Sequence, residues 1–258
     1  MLLKEIYSEY DYNIEITGVQ TDSRFVKPGN LFLPIRGKNF EGDEFFIDAI
    51  TKGAVAIVYD KAIHNLTIPV IIVDNLEKEL FRLIDLIYEK PYNELTMIGV
   101  TGTDGKTSVS TLTSYLLNHL SRCANIGTNG IIYDKEIIDN VFTTPILTQN
   151  YSLLREFSNL GISYVSMEVS SQGIANKRIE GILYDYAIFT NLSHEHLDTH
   201  KTMHNYFLTK LKLFKQLKKQ GIMIVNKQRR NVPLPDLLVE TDTVSYTHLR
   251  AHETGRNL

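Results

Sequence analysis

Short apolar runs separated by turn residues occupy the first ninety residues of the chain. Three of these runs predict β-strands: NLFLPIRG (30–37), AVAIVYD (54–60) and PVIIVDN (69–75). Two segments have apolar residues at helical spacing and predict helices: DEFFIDAITKG (43–53), ended by Gly53, and EKELFRLIDLIYEK (77–90), ended by Pro91. The segment 91–95 follows this second helix and is the predicted domain boundary.

The rest of the chain repeats a pattern of strand, loop and helix. A strand LTMIGVTG (95–102) precedes a helical segment TSVSTLTSYLLNHL (107–120). Further strands are predicted at ISYVSMEVSS (162–171), YDYAIFTNLS (184–193) and GIMIVNK (221–227). Because their apolar runs are nearly continuous, these strands suit a parallel sheet that is covered on both faces. The pattern therefore predicts an α/β fold with a small domain over residues 1–94 and a larger one over residues 95–243.

Composition and charge restrict the class of protein. The chain has 258 residues, 43% of them hydrophobic and 22% charged, with a net charge of -3 and one cysteine. These values are typical of a globular protein from a reducing compartment and do not favour binding to nucleic acid or to a membrane surface. The polar N-terminus lacks the apolar core of a signal peptide, and no apolar stretch is long enough to span a membrane. We expect a monomeric cytoplasmic protein.

The segment GVTGTDGKTS (99–108) joins the predicted strand to the predicted helix. Its glycines permit a backbone turn whose N–H groups face an anion, and the following helix contributes the positive end of its dipole. A strict phosphate-loop pattern requires glycine where Val100 stands, so the loop is a variant. Its lysine suits the outer phosphates of ATP, and its threonine hydroxyl suits Mg²⁺. The predicted ATP-binding residues are Gly102, Thr103, Asp104, Gly105, Lys106, Thr107 and Ser108.

The loop, three further blocks that follow it in the family order, and one block before it resemble the Mur ligases. The loop resembles the family pattern G-x-T-G-T-[NK]-G-K-[TS], with Asp104 at a position that is usually Asn or Lys. We expect the Asp104 side chain to point away from the phosphates or to cap the helix. The other blocks are TDSR…AIV (21–58), TTP (143–145), MEVSSQGIANKRIEG (167–181) and FTNLSHEHLDTHKTMHNYFLTKLKLF (189–214).

This resemblance implies an ATP-dependent, amide-forming ligase of peptidoglycan synthesis. The resemblance covers about residues 18–228. It implies that the domain over residues 1–94 is the UDP-sugar domain of the members that add the third peptide residue, and that residues 95–243 are an incomplete central ATP-binding domain of the P-loop type. The implied substrate is UDP-N-acetylmuramoyl-L-alanyl-D-glutamate, with an acyl phosphate as intermediate. The implied substrate-binding residues are Ser23, Thr143, Thr144, Ser171, Asn176 and Arg178. The alternative for the block around Ser23 is a helix cap or turn, and Asn176 replaces a glutamine seen in related ligases.

The resemblance also implies Mg²⁺ ligands. They are Thr107, Glu168 at the end of a strand, His196, and a carbamate formed on Lys210. The alternative for Glu168 is a capping or turn carboxylate. The spacing of His200 and His204 alone would also suit two zinc ligands on one helix face, whereas His194 and His204 fit a surface position equally well.

Lys210 lies within an apolar stripe at helical spacing. The stripe consists of Met203, Phe207, Leu211, Phe214 and Leu217. Burial there would lower the pKa of the Lys210 amine and make it nucleophilic, as a carbamate-forming lysine requires. The alternative is a lysine whose stem packs on the core while its ammonium group reaches water. With Lys106, Lys210 is a predicted catalytic residue.

The last residues depart from the family pattern. After Lys227 the chain has too few residues for the third domain of a complete ligase, so we expect an inactive fragment. Residues 244–258 match no family block and are predicted to be a foreign or disordered tail. The added amino acid, diaminopimelate or lysine, is not determined. Alternatives are a ligase like folylpolyglutamate synthase, which lacks the first domain, and a nucleotide-binding subunit without catalytic activity.

Overall fold

The computed structural model describes residues 1–35, 42–195, 197–226 and 245–249. By the density of contacts the chain divides into two compact units. The first comprises Met1–Pro91 with Tyr151–Arg155, and the second comprises Tyr92–Asn150 with Glu156–Leu258. The division after Pro91 falls within the segment 91–95, which is the predicted domain boundary.

The first unit is built on a parallel sheet of four strands in the order β1-β2-β3-β4. Its elements are α1 (Leu3–Ile6), β1 (Gly18–Gln20), β2 (Asn30–Phe32), α2 (Phe46–Thr51), β3 (Ala56–Tyr59), β4 (Val70–Ile72) and α3 (Leu76–Tyr88). The three predicted strands and two predicted helices are therefore present. β1 was not predicted, because three residues are too few for a recognisable alternation of polar and apolar positions.

Local signals set the ends of the longest helix of this unit. Asn75 caps α3 by accepting a hydrogen bond from the backbone N–H of Lys78 at 2.8 Å, which satisfies an N–H that the first turn leaves unpaired. The helix ends at Tyr88, earlier than the predicted stop at Pro91. The reason is that Glu89 and Lys90 both adopt left-handed backbone angles, with φ of 53° and 51°.

The second unit contains a sheet of eight strands in the order β12-β11-β10-β5-β9-β6-β7-β8. Its strands are β5 (Thr96–Thr101), β6 (Cys123–Gly127), β7 (Gly130–Tyr133), β8 (Glu136–Ile138), β9 (Tyr164–Glu168), β10 (Tyr184–Phe189), β11 (Leu217–Asn226) and β12 (Ser245–Leu249). Its helices are α4 (Lys106–Leu117), α5 (Leu147–Asn159), α6 (Ser171–Ala175), α7 (Leu197–His200) and α8 (Met203–Leu211), and the middle of α5 clusters with the first unit.

The prediction of an α/β fold with a mostly parallel sheet is confirmed. The central strands β5 and β9 are buried over most of their lengths, as expected for strands covered on both faces. Among the strand pairs of the described residues in this sheet, only those of the β6-β7-β8 edge are antiparallel. Within the described ranges, no helix has the length and apolar content that crossing a membrane requires.

The apolar stripe around Lys210 does not form one continuous helix, so that prediction is wrong. α8 ends at Leu211, a short 3-10 helix covers Phe214–Gln216, and Leu217 begins β11. The backbone N–H of Leu213 bonds to the carbonyl three residues earlier, which tightens the chain before it turns into the strand. Phe214 remains buried nonetheless.

Part of the predicted tail belongs to the sheet. Ser245–Leu249 forms β12, which pairs in parallel with β11 from Ile222 to Asn226. Residues 227–244 and 250–258 lie outside the described part of the chain. The origin of the tail remains a prediction.

Candidate functional site

The loop between β5 and α4 depends on two glycines with unusual backbone angles. Gly102 has a φ of +147° and Gly105 a φ of +78°, a region that other residues enter only with strain. A Cβ atom on Gly102 would lie 1.9 Å from the Thr190 hydroxyl oxygen, so no side chain fits there. Gly105 is the N-terminal cap of α4, so Asp104 does not cap the helix. Its carboxylate accepts a hydrogen bond from the Ser193 hydroxyl at 3.2 Å.

The two residues after β10 hold this loop. Thr190 donates to the carbonyl oxygen of Asp104 at 2.6 Å, and the Asn191 amide both donates to that carbonyl and accepts from the Asp104 backbone N–H. The loop is thus bound to the carboxyl end of a neighbouring parallel strand, where ligands of open α/β sheets bind. Thr190 and Asn191 were not among the predicted site residues, although they follow directly after an apolar strand.

Lys106 begins α4 and folds back over the loop. Its ammonium group donates to the carbonyl oxygens of Gly102 at 3.1 Å and Thr103 at 2.6 Å. Burial lowers the pKa of Lys106, while the negative charges of Glu168, Glu195 and Asp104 act in the opposite direction. Ser108, two residues further along the helix, is exposed.

Glu168 is a buried carboxylate at the carboxyl end of β9, with only 1% of its surface exposed. It accepts hydrogen bonds from the Thr107 hydroxyl and from the backbone N–H of Thr128, both at 2.8 Å. A Cβ atom on Gly127, at the end of β6, would lie 2.1 Å from the Glu168 Oε1 atom. The hairpin formed by β6 and β7 therefore approaches the carboxylate so closely that only glycine fits at this position. A hydroxyl and a carboxylate oxygen held side by side are oxygen donors of the kind that Mg²⁺ prefers, and this pair fits that ion.

Lys210 is 1% exposed and lies beneath the loop. Its Nζ atom donates to the Gly102 carbonyl oxygen at 2.6 Å and lies 4.4 Å from the centroid of the Tyr206 ring. Burial, followed by the positive charge of Lys106, lowers the pKa of Lys210 to about 7. The ammonium group therefore does not reach water, and the alternative of a lysine with a solvated head group is wrong.

The histidines do not form a zinc site in the part of the chain that the structure describes. His200 is buried against Tyr206, with ring centroids 5.1 Å apart, whereas His194 and His204 are exposed. No group of three or more His, Cys, Asp or Glu side chains that could hold a metal ion occurs among the described residues. His196, predicted to bind the second Mg²⁺, lies outside them.

A cavity of about 300 Å³ adjoins Lys106 and Lys210 in the second unit. Its polar lining includes Lys106, Thr143, Ser170, Ser171, Arg178 and Lys210. The positive charges of Arg178 and Lys106 beside one cavity favour an anionic ligand.

Two substrate-binding residues predicted in the second unit, Thr144 and Asn176, do not line this cavity. Thr144 is fully buried, and its hydroxyl donates to the Glu168 carbonyl oxygen at 2.9 Å and accepts from the Ser170 N–H at 3.0 Å. Asn176 is exposed and ends α6. In this structure Thr144 therefore connects the loop before α5 to the end of β9.

Ser23 lies in the first unit, in a 3-10 helix that spans Ser23–Phe25. Its side chain is 4% exposed. Asp22 caps this turn by accepting from the Arg24 N–H at 3.0 Å and pairs with the Arg24 guanidinium. Asp22 and Arg24 therefore have the capping and turn role that was the alternative to substrate binding for this block.

Several residues that organise the site escaped the sequence analysis. Thr128 and Tyr206 carry polar contacts to Glu168 and Thr103, respectively, and Phe142 lies against Arg178. Thr128 and Phe142 lie outside the strands and helices, in segments with no periodicity. Tyr206 lies on a helix, but only the fold shows that its hydroxyl reaches the loop.

The fold and the loop together define a phosphate-loop protein of the α/β class. The sequence profile of the Mur ligase middle domain matches residues 100–248, and that of the Mur ligase family catalytic domain matches residues 15–84. The chain belongs to the Mur ligase family.

Two curated relatives show the extent of the similarity. The chain is 38% identical over 229 residues to UDP-N-acetylmuramoyl-L-alanyl-D-glutamate–2,6-diaminopimelate ligase of Haemophilus influenzae (strain PittGG), covering 84% of this chain and 46% of the relative. It is 40% identical over 222 residues to UDP-N-acetylmuramyl-tripeptide synthetase 2 of Oceanobacillus iheyensis, and the match covers 82% of this chain and 45% of that relative. The chain therefore spans about half the length of these relatives.

The fold of this chain is similar to that of a solved structure. The structure of a UDP-N-acetylmuramoyl-L-alanyl-D-glutamate–2,6-diaminopimelate ligase superposes with a TM-score of 0.70 at 23% sequence identity. The match covers 98% of this chain and 53% of the other. At this identity the match supports the fold alone.

Proposed function

We propose that the protein containing this chain is an ATP-dependent ligase of peptidoglycan precursor synthesis. It adds the third, diamino residue of the peptide to UDP-N-acetylmuramoyl-L-alanyl-D-glutamate, and it acts in the cytoplasm as a monomer. The observation that carries the proposal is the convergence of a phosphate loop, the Thr107–Glu168 pair and two lysines beside a cavity lined by Arg178. The names of the curated relatives support this choice of substrate.

In this proposal the second unit binds ATP with residues Gly102 to Ser108, and Lys106 turns from its carbonyl partners to the outer phosphates. Thr107, Glu168 and His196 would hold Mg²⁺, which supplies charge neutralisation for phosphoryl transfer when bound. The γ-phosphoryl group moves to the D-glutamyl carboxylate, and the amine of diaminopimelate or lysine displaces phosphate from the acyl phosphate. The chain mainly positions the reactants and offsets negative charge.

Lys210 is proposed to carry a carbamate. Its neutral amine attacks CO₂, a nitrogen–carbon bond forms, and the displaced proton leaves to solvent. A pKa of about 7 leaves a large neutral fraction at physiological pH. The product is an anion beneath the phosphate loop, suited to orienting Mg²⁺.

The substrate residues divide between the two units. Thr143, Ser171 and Arg178 would contact the muramoyl and peptide part, with Thr144 and Asn176 supporting them, and Ser23 in residues 1–94 would contact the uridine end. The folylpolyglutamate synthase alternative is disfavoured, because the family match extends over residues 15–84 as well as the central domain.

Nucleotide binding is tested by calorimetry with Lys106→Ala in this chain. We expect ATP affinity to fall at least about tenfold, because a charge-assisted contact to phosphate is lost. Lys135→Ala, an exposed lysine of the same unit, is the matched control and should bind like the wild type. Equal affinity of a folded Lys106→Ala variant would contradict the nucleotide assignment.

Ligation is tested with the full-length protein that contains this chain. It is supplied with ATP, Mg²⁺ and UDP-N-acetylmuramoyl-L-alanyl-D-glutamate, and with diaminopimelate or lysine in separate reactions. Mass spectrometry should detect ADP and the UDP-muramoyl tripeptide in equal amounts with one of the amines. Nucleotide binding without tripeptide would instead favour the subunit without catalytic activity.

A further inference from the structure

The ring of Phe142 lies against the Arg178 guanidinium at the cavity next to Lys106 and Lys210. The Arg178 guanidinium carbon is 4.0 Å from the centroid of the Phe142 ring, and Arg178 Nη1 donates to the Thr144 carbonyl oxygen at 3.0 Å. Phe142 and Arg178 both line the cavity that also contains Lys106 and Lys210.

The buried side-chain amide of Asn150 forms hydrogen bonds to the backbone near both Phe142 and Arg178. Asn150, fully buried in α5, donates from Nδ2 to the carbonyl oxygens of Pro145 at 3.0 Å and of Arg178 at 2.8 Å. One side chain thus links the loop that carries Phe142 to the turn that carries Arg178. The distance between ring and guanidinium therefore does not depend on two independently moving loops.

The charge of the Arg178 guanidinium explains why a supporting contact from Phe142 matters. Among the described residues, no carboxylate lies within ion-pair distance of Arg178, and Lys106 lines the same cavity. Burial lowers the pKa of Arg178, so the charged guanidinium would gain hydration by turning out to water. The negative face of the Phe142 ring attracts it instead, and this contact uses no N–H donor, so the donors that Thr144 does not engage stay available to a planar anion.

We propose that Phe142 is a positioning residue that holds the Arg178 guanidinium in place, so that its free N–H donors face an anionic group of the substrate. The inference rests on the proposed function, because the anion belongs to UDP-N-acetylmuramoyl-L-alanyl-D-glutamate. The group is a carboxylate or phosphate, which offer the same pair of acceptor oxygens.

The first experiment compares Phe142→Leu with Phe142→Tyr by calorimetry with the UDP-muramoyl dipeptide. Leucine keeps the apolar volume and removes the ring, so the Kd should rise about tenfold, as expected for loss of a partly desolvated cation–π contact. Tyrosine keeps the ring and should stay within about twofold of the wild type. Equal Kd values for wild type and Phe142→Leu would overturn the proposal.

A double-mutant cycle separates positioning from general packing. In an Arg178→Gln background, Phe142→Leu should have no further effect on the Kd, because the group that the ring holds is gone. Additive losses would show that Phe142 acts independently of Arg178. Repeating the cycle with UDP-N-acetylmuramoyl-L-alanine assigns the anion: the coupling disappears if Arg178 meets a D-glutamyl carboxylate and persists if it meets the pyrophosphate.

A readout without substrate keeps this inference separate from the proposed function. In the ligand-free chain, the Arg178 Nε–H signal in nitrogen-15 NMR should exchange with solvent faster in Phe142→Leu than in wild type or Phe142→Tyr. Unchanged exchange would overturn the positioning role even if the dipeptide binds. Failure of the wild type to bind the dipeptide, with faster exchange in Phe142→Leu, would contradict the proposed substrate and leave the positioning of Arg178 supported.

Discussion

Two lysines more than a hundred residues apart in sequence donate to the same backbone oxygen. Lys106 and Lys210 both contact the Gly102 carbonyl, at 3.1 Å and 2.6 Å. Burial and the positive charge of Lys106 raise the cost of protonating Lys210, whose pKa falls to about 7. The carbonyl at the turn of the phosphate loop thus holds two amines close to where phosphates would bind.

The lowered pKa of Lys210 predicts how stability varies with pH. Between pH 7 and about 10.4 the unfolded chain keeps this amine protonated while the folded chain holds it neutral. The unfolded state therefore binds more protons, and the free energy of unfolding increases as pH rises through this window.

Urea titrations of wild type and Lys210→Met at several pH values, in buffers free of CO₂, measure this effect. The wild type should gain stability relative to the variant by up to about 1.4 kcal/mol per pH unit across the window. Lys212→Met, at an exposed lysine two residues away, should run parallel to the wild type. A difference between wild type and Lys210→Met that does not change with pH would contradict the lowered pKa.

At the scale of elements, the site depends on how closely the β6–β7 hairpin approaches β9. The hairpin presents the Thr128 N–H to Glu168, and glycine at position 127 leaves room for the carboxylate. The same carboxylate meets Thr107 at the start of α4. One buried side chain therefore joins three elements, and each element constrains its orientation.

Gly127→Ala should disturb this arrangement. The added methyl group would lie 2.1 Å from Glu168 Oε1 and 2.8 Å from its Cγ, so the whole side chain must shift away from Thr107. We expect the affinity for Mg²⁺-ATP to fall at least about tenfold and the free energy of unfolding to fall by about 1–3 kcal/mol.

Gly161→Ala is the control for this variant. The nearest atom to its added methyl group is 3.9 Å away, but the φ of +71° costs an alanine about 1 kcal/mol. It should therefore lose stability without losing nucleotide affinity in calorimetry. Similar affinity losses in both variants would show that the effect is a general consequence of destabilisation.

At the scale of the whole molecule, each unit has its own sheet and its own buried core. The first unit encloses a cluster around Phe46, Ile57 and Tyr59, and the second is centred on the long sheet that carries the phosphate loop. A ligand that binds one unit stabilises that unit by mass action, by about 2.7 kcal/mol at a hundredfold excess over the Kd.

Hydrogen exchange with mass spectrometry tests whether the units respond separately. Mg²⁺-ATP should slow exchange of core amides in β5, β9 and α4 and leave those of β2 and β3 unchanged. Lys106→Ala should abolish the slowing. Equal slowing in both sheets would show instead that the two units unfold as one cooperative body.

The sequence predicted the buried parallel strands β5, β9, β10 and β11, but not the β6-β7-β8 edge, helix α5 or the ends of the elements. Apolar strands such as β5 and β9 were recognisable because a buried parallel strand needs a nearly continuous apolar run. The predicted helix around Lys210 was too long. Phe214 is buried, as helical spacing predicts, but it lies beyond the end of α8. Burial patterns report which residues are inside, but a tight turn can preserve the pattern while the backbone changes direction.

The sequence by itself determined the class of fold, the phosphate loop and membership of the Mur ligase family, because these depend on local spacing and on ordered motifs. Only the tertiary structure decided which groups meet. It placed Lys210 against Gly102, enclosed Glu168 between Thr107 and Thr128, and laid Phe142 on Arg178. Such contacts join residues from different strands and loops, and their energies depend on burial and distance, which only the folded chain establishes.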